Sequence, residues 1–325
     1  MESPQQLKQR IGGIQNIHQI TKAMEMVAAT KMRKSQELAL AARPYAFTAL
    51  EILANLSAAL ARDEHMQERV PLLQHRRGGA TAVVVVTSDK GLAGAFNTTV
   101  LRKVDNFLKT HEVARHPQRY PCIAIGQKAH QFLQKKHLQV VAHFTRVGDF
   151  TTIHEVRPIS DLLIKGFLEQ QWNKVIIFSM HFQSALRQEV AMRTLFPVSF
   201  AAIKKLVEEI VPRQGKFSEF FTNAPSSLTK TEAQAVAREY LIEPSAEEVL
   251  NDLIPHLITM QLYHLILEAN ASEHSARRMA MKNASDNAED LVGKLTLVYN
   301  KSRQAAITKE IIEVTSGSES LASQS

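Results

Sequence analysis

SPQQLKQRIGGIQNIHQITKAMEMVAATKMRKSQELALAA, residues 3–42, reads as one long helix with a narrow apolar edge. Ser3 suits the N-cap, Pro4 the first helical position and Gln6 the third position of a capping box. Leu7, Ile11, Ile14, Ile17, Thr21, Met24 and Ala28 then recur at spacings of three or four. That is the seam of a coiled coil, not the broad face of a globular helix. Gly12 and Gly13 weaken the helix without ending it. Pro44 should kink or interrupt it, after which the pattern resumes through Ala61. A seam needs a partner helix.

The other end of the chain offers one over residues 245–316. Ser245-Ala246-Glu247-Glu248 follows Pro244 as a second capping box. Pro255 should kink the helix early. From His256 to Thr315 only Gly293 interrupts, and those 60 residues span roughly 90 Å. One ordinary domain cannot cover such a helix, so part of it must project or enter a partner. Ala276, Ala280, Ala284 and Ala288 form a row at spacing four that lets another helix approach, with Leu262, Ile266, Leu291, Leu295 and Val298 flanking it as the expected seam. Asn283 and Asn287 intrude as polar residues that could fix register. Ser316 to Ser320 should end the helix in a frayed tail.

Between the helices lies an α/β pattern. Thr81–Thr87 (TAVVVVT) is a short, almost wholly apolar run, as expected for a strand buried on both faces. Similar runs follow at Cys122–Ile125, Val140–Phe144 and Val175–Met180, with helical patterns at Thr98–Lys109, Lys128–Lys136 and Ile159–Glu169. Gln188–Phe196 reads as an edge strand. This alternation predicts a mostly parallel, Rossmann-like sheet with helices packed on it. The expected fold class is α/β: a long antiparallel coiled coil of the N- and C-terminal helices plus a central Rossmann-like domain. The expected boundaries are 1–62 for the N-terminal coiled-coil helix, 78–203 for the α/β body, 204–244 for a connector and 245–325 for the C-terminal coiled-coil helix. Gly78-Gly79 marks the first boundary, and Pro212, Gly215 and Pro225 lie in the connector.

Composition narrows the function classes. Cys122 is the only cysteine, so no intramolecular disulfide can form and a reducing setting fits. No apolar run approaches a membrane span, and the start lacks a secretion signal. The net charge of +7 permits nucleic acid, an acidic membrane surface or an acidic protein partner. Residues 1–35 carry six basic residues against two acidic ones, a stripe suited to acidic partner surfaces. A basic coiled-coil adaptor binding nucleic acid or a membrane surface is the competing reading. It expects aromatics among the basic residues, and Met1–Lys34 has none.

Catalytic motifs are wanting. The turn Ser88–Asn97 after the first strand lacks both G-x-G-x-x-G and the P-loop spacing, so a tight strand-to-helix turn is the better reading than a nucleotide site. His111–His116 is one residue too long for H-E-x-x-H, and Pro117 follows at once. Glu273-His274 has no second ligand at i+4, and Ser88 and Asp89 have no histidine nearby in sequence. No catalytic, cofactor or metal residues are assigned.

Three segments resemble the γ subunits of F-type ATP synthases. They are Arg10-Ile11 through Ile20–Arg33; Thr87–Gly94 (TSDKGLAG); and Ser272–Arg277 through Ala284–Ala288, continued by Tyr299–Ile311. The order helix, α/β body, helix is also the family's, and residues 200–230 match least. Relatives often carry Cys and Gly where this chain has Ala93 and Ala95, a mild change in a turn. No cysteine-bearing insertion flanks Asp149, so the resemblance implies no thiol switch.

The resemblance implies a non-catalytic central-stalk rotor that couples ion flow through the membrane sector to ATP synthesis or hydrolysis at the β subunits. The implied partners are a ring of α and β subunits around the coiled coil, with the ε subunit and membrane rotor ring at the body. It implies no cofactor, no nucleic acid and no membrane insertion, and a peripheral location on the cytoplasmic face of the cell inner membrane. By residue match, stator contacts are expected at Lys22, Met24, Lys31, Arg33, Arg277, Arg303, Gln304, Thr308, Glu310 and Glu313. Met24 should lie close to Arg277, Ile14 should face Asn287–Ala288, and Leu7 should face Lys294–Leu295. Beyond about Asn300 the second helix then has no partner, and Ile307, Ile311, Ile312 and Val314 leave it with an apolar side.

Overall fold

The structure is a computed structural model that describes residues 3–41, 69–76, 78–185, 187–198 and 243–322. The expected kink at Pro44, the helix to Ala61 and the connector at 204–230 lie outside the described residues. Among those described, contacts group the chain into two compact units. One takes the N-terminal helix through Thr30, the turn Leu92–Gly94 and the C-terminal helix from Ser275. The other takes the remainder, including the C-terminal helix up to His274.

The first unit is helical. Helix α1 spans Pro4–Ala41. Its capping box forms as expected: the Ser3 N–H donates to Gln6 Oε1 (3.1 Å) and the Gln6 N–H donates to Ser3 Oγ (3.3 Å). Its less exposed edge runs through Leu7, Ile11, Ile14, His18, Thr21, Glu25 and Ala28, continuing to Met32 and Ser35. Steps of four and three alternate along that row, the heptad repeat of a coiled coil. The repeat corrects two expected positions, and at one of them Glu25 stands in the row next to a half-buried Met24. Ile17 is 55% exposed, and His18 takes its place in the row. Thr21 tolerates its buried position because its hydroxyl donates to the Ile17 and His18 carbonyls.

The C-terminal helix, α5, runs unbroken from Ala246 to Ala322, so neither Pro255 nor Ser316–Ser320 ends it. In its part of the first unit the less exposed row is Met281, Ser285, Ala288, Val292, Leu295, Tyr299, Ser302 and Ala306, again with alternating steps. Leu291 and Val298, expected in the seam, are exposed, as are Asn283 and Asn287. Ala276 and Ala280 make room for a turn: a Cβ on Gly94 would sit 3.6 Å from the Ala276 carbonyl oxygen and 3.7 Å from the Ala280 Cβ. Gly94 holds φ at +55°, where a glycine is least strained.

The second unit is an α/β domain. Its strands are β1 (Thr81–Val86), β2 (Cys122–Ile125), β3 (Val140–Phe144), β4 (Lys174–Phe182) and β5 (Gln188–Phe196). Its helices are α2 (Phe96–Thr110), α3 (Gln127–Lys135), α4 (Ile153–Leu168) and the first part of α5. The sheet order is β3-β2-β1-β4-β5. The first four strands are parallel and β5 pairs antiparallel to β4 at the edge. The chain reverses direction across the sheet between β1 and β4, the doubly wound arrangement.

Strand alternation sorts the core. Ala82, Val84, Val86, Ile123, Ile125, Val175 and Ile177 join one apolar cluster with Val156, Ile159, Leu163 and Phe167 of α4. The same cluster takes Leu250, Ile254, Leu257, Ile258, Leu262, Leu265, Ile266 and Ala269 of α5. Each such large aliphatic side chain contributes about 1.5–3 kcal/mol when fully buried, so this part of α5 is anchored by its own core. Toward α2, Phe107 meets Phe178 of β4 edge to face, with ring centroids 5.3 Å apart. β3 departs from expectation. It is an edge strand whose residues alternate between half-buried and exposed, because no strand among the described residues pairs on its far side. α4 starts earlier than its apolar spacing suggests, at a Thr152–Glu155 capping box.

Running the two seam rows head to tail sets Leu7 against Leu295, Ile14 against Ala288 and Thr21 against Met281. The double variant Ile14→Cys/Ala288→Cys should therefore close a disulfide on mild oxidation, seen as a mobility shift on a non-reducing gel. Cys122 will not compete, since burial pushes its thiol up to about 12. No shift, with helicity intact, rejects that register.

Candidate functional site

No group of three or more metal-ligating side chains is found among the described residues. The exposed faces of α1 and α5 are the candidate surfaces. On α1, Ile20 (59%), Val27 (55%) and Met26 (60%) are exposed along with Ile17. On α5 the exposed apolar side chains include Leu297, Ile307, Ile311, Ile312 and Val314. Such a density of apolar groups on helix faces is what a partner surface looks like.

The expected contact residues fall into two groups. Lys22, Met24 and Arg277 belong to the helical unit, together with Arg303, Gln304, Thr308, Glu310 and Glu313 on α5. Lys31 and Arg33 belong to the α/β unit. Met24 and Arg277 are half-buried, while Arg33, Arg303, Gln304, Thr308, Glu310 and Glu313 are exposed. Charged side chains of this set are engaged within the chain. The Lys22 Nζ lies 3.0 Å from Glu25, which holds its pKa above the usual lysine range, with Asp286 and Glu289 of α5 adding to the effect. Lys31 pairs with Asp149 at 2.6 Å. Glu313 pairs with Lys309 at 3.5 Å.

The turn Ser88–Asn97 shows why this α/β domain has a filled phosphate position. The N-terminus of α3 is where such folds bind anions. Here Asp89 supplies the anion: its Oδ1 accepts the Gln127 N–H (2.9 Å) and its Oδ2 accepts the Arg146 N–H (2.8 Å). Asn97 Nδ2 donates to Ser88 Oγ (2.7 Å), and the Ser88 N–H donates to Asn97 Oδ1 (3.0 Å). The fold also brings His143 near Asp89, a proximity invisible in sequence. Burial and then the stacked His130, centroid to centroid 3.9 Å, hold the His143 pKa below the usual range, with Asp89 pulling the other way. Both Asp89 oxygens accept from backbone N–H groups.

A buried polar network escaped the sequence reading. Glu268 of α5 is 8% exposed. Its Oε2 lies 3.1 Å from His181 Nδ1 of β4 and 3.6 Å from Arg193 Nη1 of β5. Its Oε1 lies 3.2 Å from His264 Nε2, one turn earlier on α5. Burial pushes the carboxyl up, but the hydrogen bonds from His181 and His264 outweigh that and hold it at about 2. The one sequence signal was His264 and Glu268 at i and i+4 inside an apolar run. Their partners come from strands some eighty residues away.

A family model described as ATP synthase matches residues 3–321. The chain of Roseiflexus sp. (strain RS-1) named ATP synthase gamma chain is 37% identical over 324 residues, 99% of each chain. The ATP synthase gamma chain of Cupriavidus necator is 37% identical over 317 residues, 98% of this chain and 99% of that one. Among solved structures, a chain of the Euglena gracilis mitochondrial ATP synthase (OSCP/F1/c-ring, rotational state 3) aligns with a TM-score of 0.59 at 19% identity, over 98% of this chain and 94% of that one. A chain of the Tetrahymena thermophila mitochondrial ATP synthase central stalk and c-ring aligns with a TM-score of 0.56 at 21% identity, over 82% and 99%.

Removing the Glu268 charge takes away the carboxylate that His181, His264 and Arg193 share. Glu268→Ala should cost on the order of 3–5 kcal/mol. Because the folded pKa lies below the ordinary value of 4.5, the stabilisation is present in full above that value and fades as pH falls toward about 2. Thermal melts followed by circular dichroism should show a wide gap between wild type and Glu268→Gln near neutral pH and a narrow one in acid. An equal gap at both rejects the ionic account.

Proposed function

The chain belongs to the ATP synthase gamma-chain family, and on that premise we propose that it is the central-stalk rotor, coupling ion translocation through the membrane sector to ATP synthesis or hydrolysis at the β subunits. It is not the catalytic subunit. Its work is conformational: an asymmetric helical shaft turns and favours a different state of each catalytic site by differential contact. One single-chain helix pair supplies the asymmetry, since α1 and α5 present different side chains on every side.

The observation that carries the reading is the far part of α5. Ile307, Ile311, Ile312 and Val314 are exposed on a helix that runs on to Ala322. Water is a poor solvent for that face, and a sleeve of α and β subunits covers it. Met24, Arg33 and Arg277, with the partly neutralised Lys22 and Lys31, meet acidic loops of the stator. Arg303, Gln304, Thr308, Glu310 and Glu313 touch the sleeve. Contacts of this exposed, mostly single-charge kind can be broken and remade at each step. The α/β unit stands on the ε subunit and the membrane rotor ring.

No helix among the described residues is long and apolar enough to cross a membrane. As a rotor subunit of this family, the chain sits peripherally, on the cytoplasmic face of the cell membrane. The alternative of a basic adaptor for nucleic acid or lipid rests on net charge alone and draws no support from the relatives.

Mixing the chain with α and β subunits should give a stoichiometric particle that hydrolyses ATP. Failure to assemble, with helicity intact, overturns the reading. Ile311→Asp/Ile312→Asp should weaken the particle by about fivefold or more, the scale of losing a well-packed interface side chain, measured by titrating the chain into α and β.

A further inference from the structure

We propose that Asp149 is a positioning residue for coupling, its carboxylate clasping both long helices where they are held in the α/β unit. The proposal rests on the rotor reading and adds to it a named residue that keeps the two helices from yielding separately under load.

Asp149 lies in the segment between β3 and α4. Its Oδ2 receives the Lys31 ammonium of α1 at 2.6 Å. Its Oδ1 lies 3.4 Å from Nε2 of His274 on α5. Two residues on, the hydroxyl of buried Thr151 accepts a hydrogen bond from Asn270 Nδ2 of α5 (3.0 Å). One short segment thus reaches α1 through one side chain and α5 through two. Lys31 is where α1 joins the α/β unit, and His274 is where α5 leaves it.

The carboxylate stays charged at neutral pH. Partial burial pushes its pKa up, and Lys31, His274 and Lys90 together bring it below the usual range. Half of the Asp149 side chain remains exposed, at 51%. Exposed ion pairs add little to folding stability. The clasp is therefore a poor explanation of how the domain folds. It is a good way to fix two helices to one loop, so its loss should appear in coupling and not in melting.

The test uses the complete membrane enzyme in sealed vesicles, following ATP hydrolysis and ATP-driven uptake of protons and of sodium. Asp149→Asn and Asp149→Ala should assemble normally, melt within a few degrees of wild type and lower the ratio of ion uptake to hydrolysis roughly threefold. The conservative Asp149→Glu, which keeps a carboxylate for both Lys31 and His274, should retain most of that ratio. The exposed Lys165, paired only to Glu169 on its own helix turn, supplies the control, and Lys165→Ala should leave the ratio unchanged. An unchanged ratio in Asp149→Asn and Asp149→Ala overturns the proposal, as does an equal loss in Asp149→Glu. A wild-type chain that fails to assemble overturns the rotor reading itself, a distinct outcome.

Discussion

Burial of one face of α5 against the sheet is the contact on which the chain's organisation depends. Eight aliphatic residues of that helix, from Leu250 to Ala269, enter the same apolar cluster as β1, β2, β4 and α4. Past His274 the helix keeps its backbone but changes its obligations. The broad apolar face gives way to the single row of Met281, Ser285, Ala288 and Val292. A globular core needs a wide face and a coiled coil a narrow one. One helix meets both demands in succession.

Much of this was legible in the sequence, because the periods differ. The apolar strands stood out as short runs between Gly- and polar-rich turns, and all five strands lie within a residue or two of their expected bounds. The seam was legible in period but not at every position. Apolar preference alone selects Ile17, while the heptad step from Ile14 selects His18. The same bias selected Leu291 and Val298 over Val292 and Tyr299. A half-buried seam position tolerates an amphipathic ring, and an exposed isoleucine is a partner's concern.

What stayed illegible was everything that needs distant segments brought together. Glu268 reads as an odd charge in an apolar helix until β4 and β5 bring His181 and Arg193 to it. Asp149 reads as a loop residue until α1 and α5 present Lys31 and His274. Asp89 reads as part of a possible phosphate loop until its oxygens are found capping α3 and the Arg146 N–H. In each case the residue type was visible and the partner was not.

The uninterrupted course of α5 imposes a rule on how this chain can vary in length. Each added residue rotates everything beyond it by about 100°. A single insertion between His274 and Met281 would swing the whole distal row off its line, although every side chain survived. Seven residues restore the phase to within about 20°. The joint between core and seam should therefore be among the most insertion-intolerant stretches of the molecule, made of ordinary residues whose importance lies in their number.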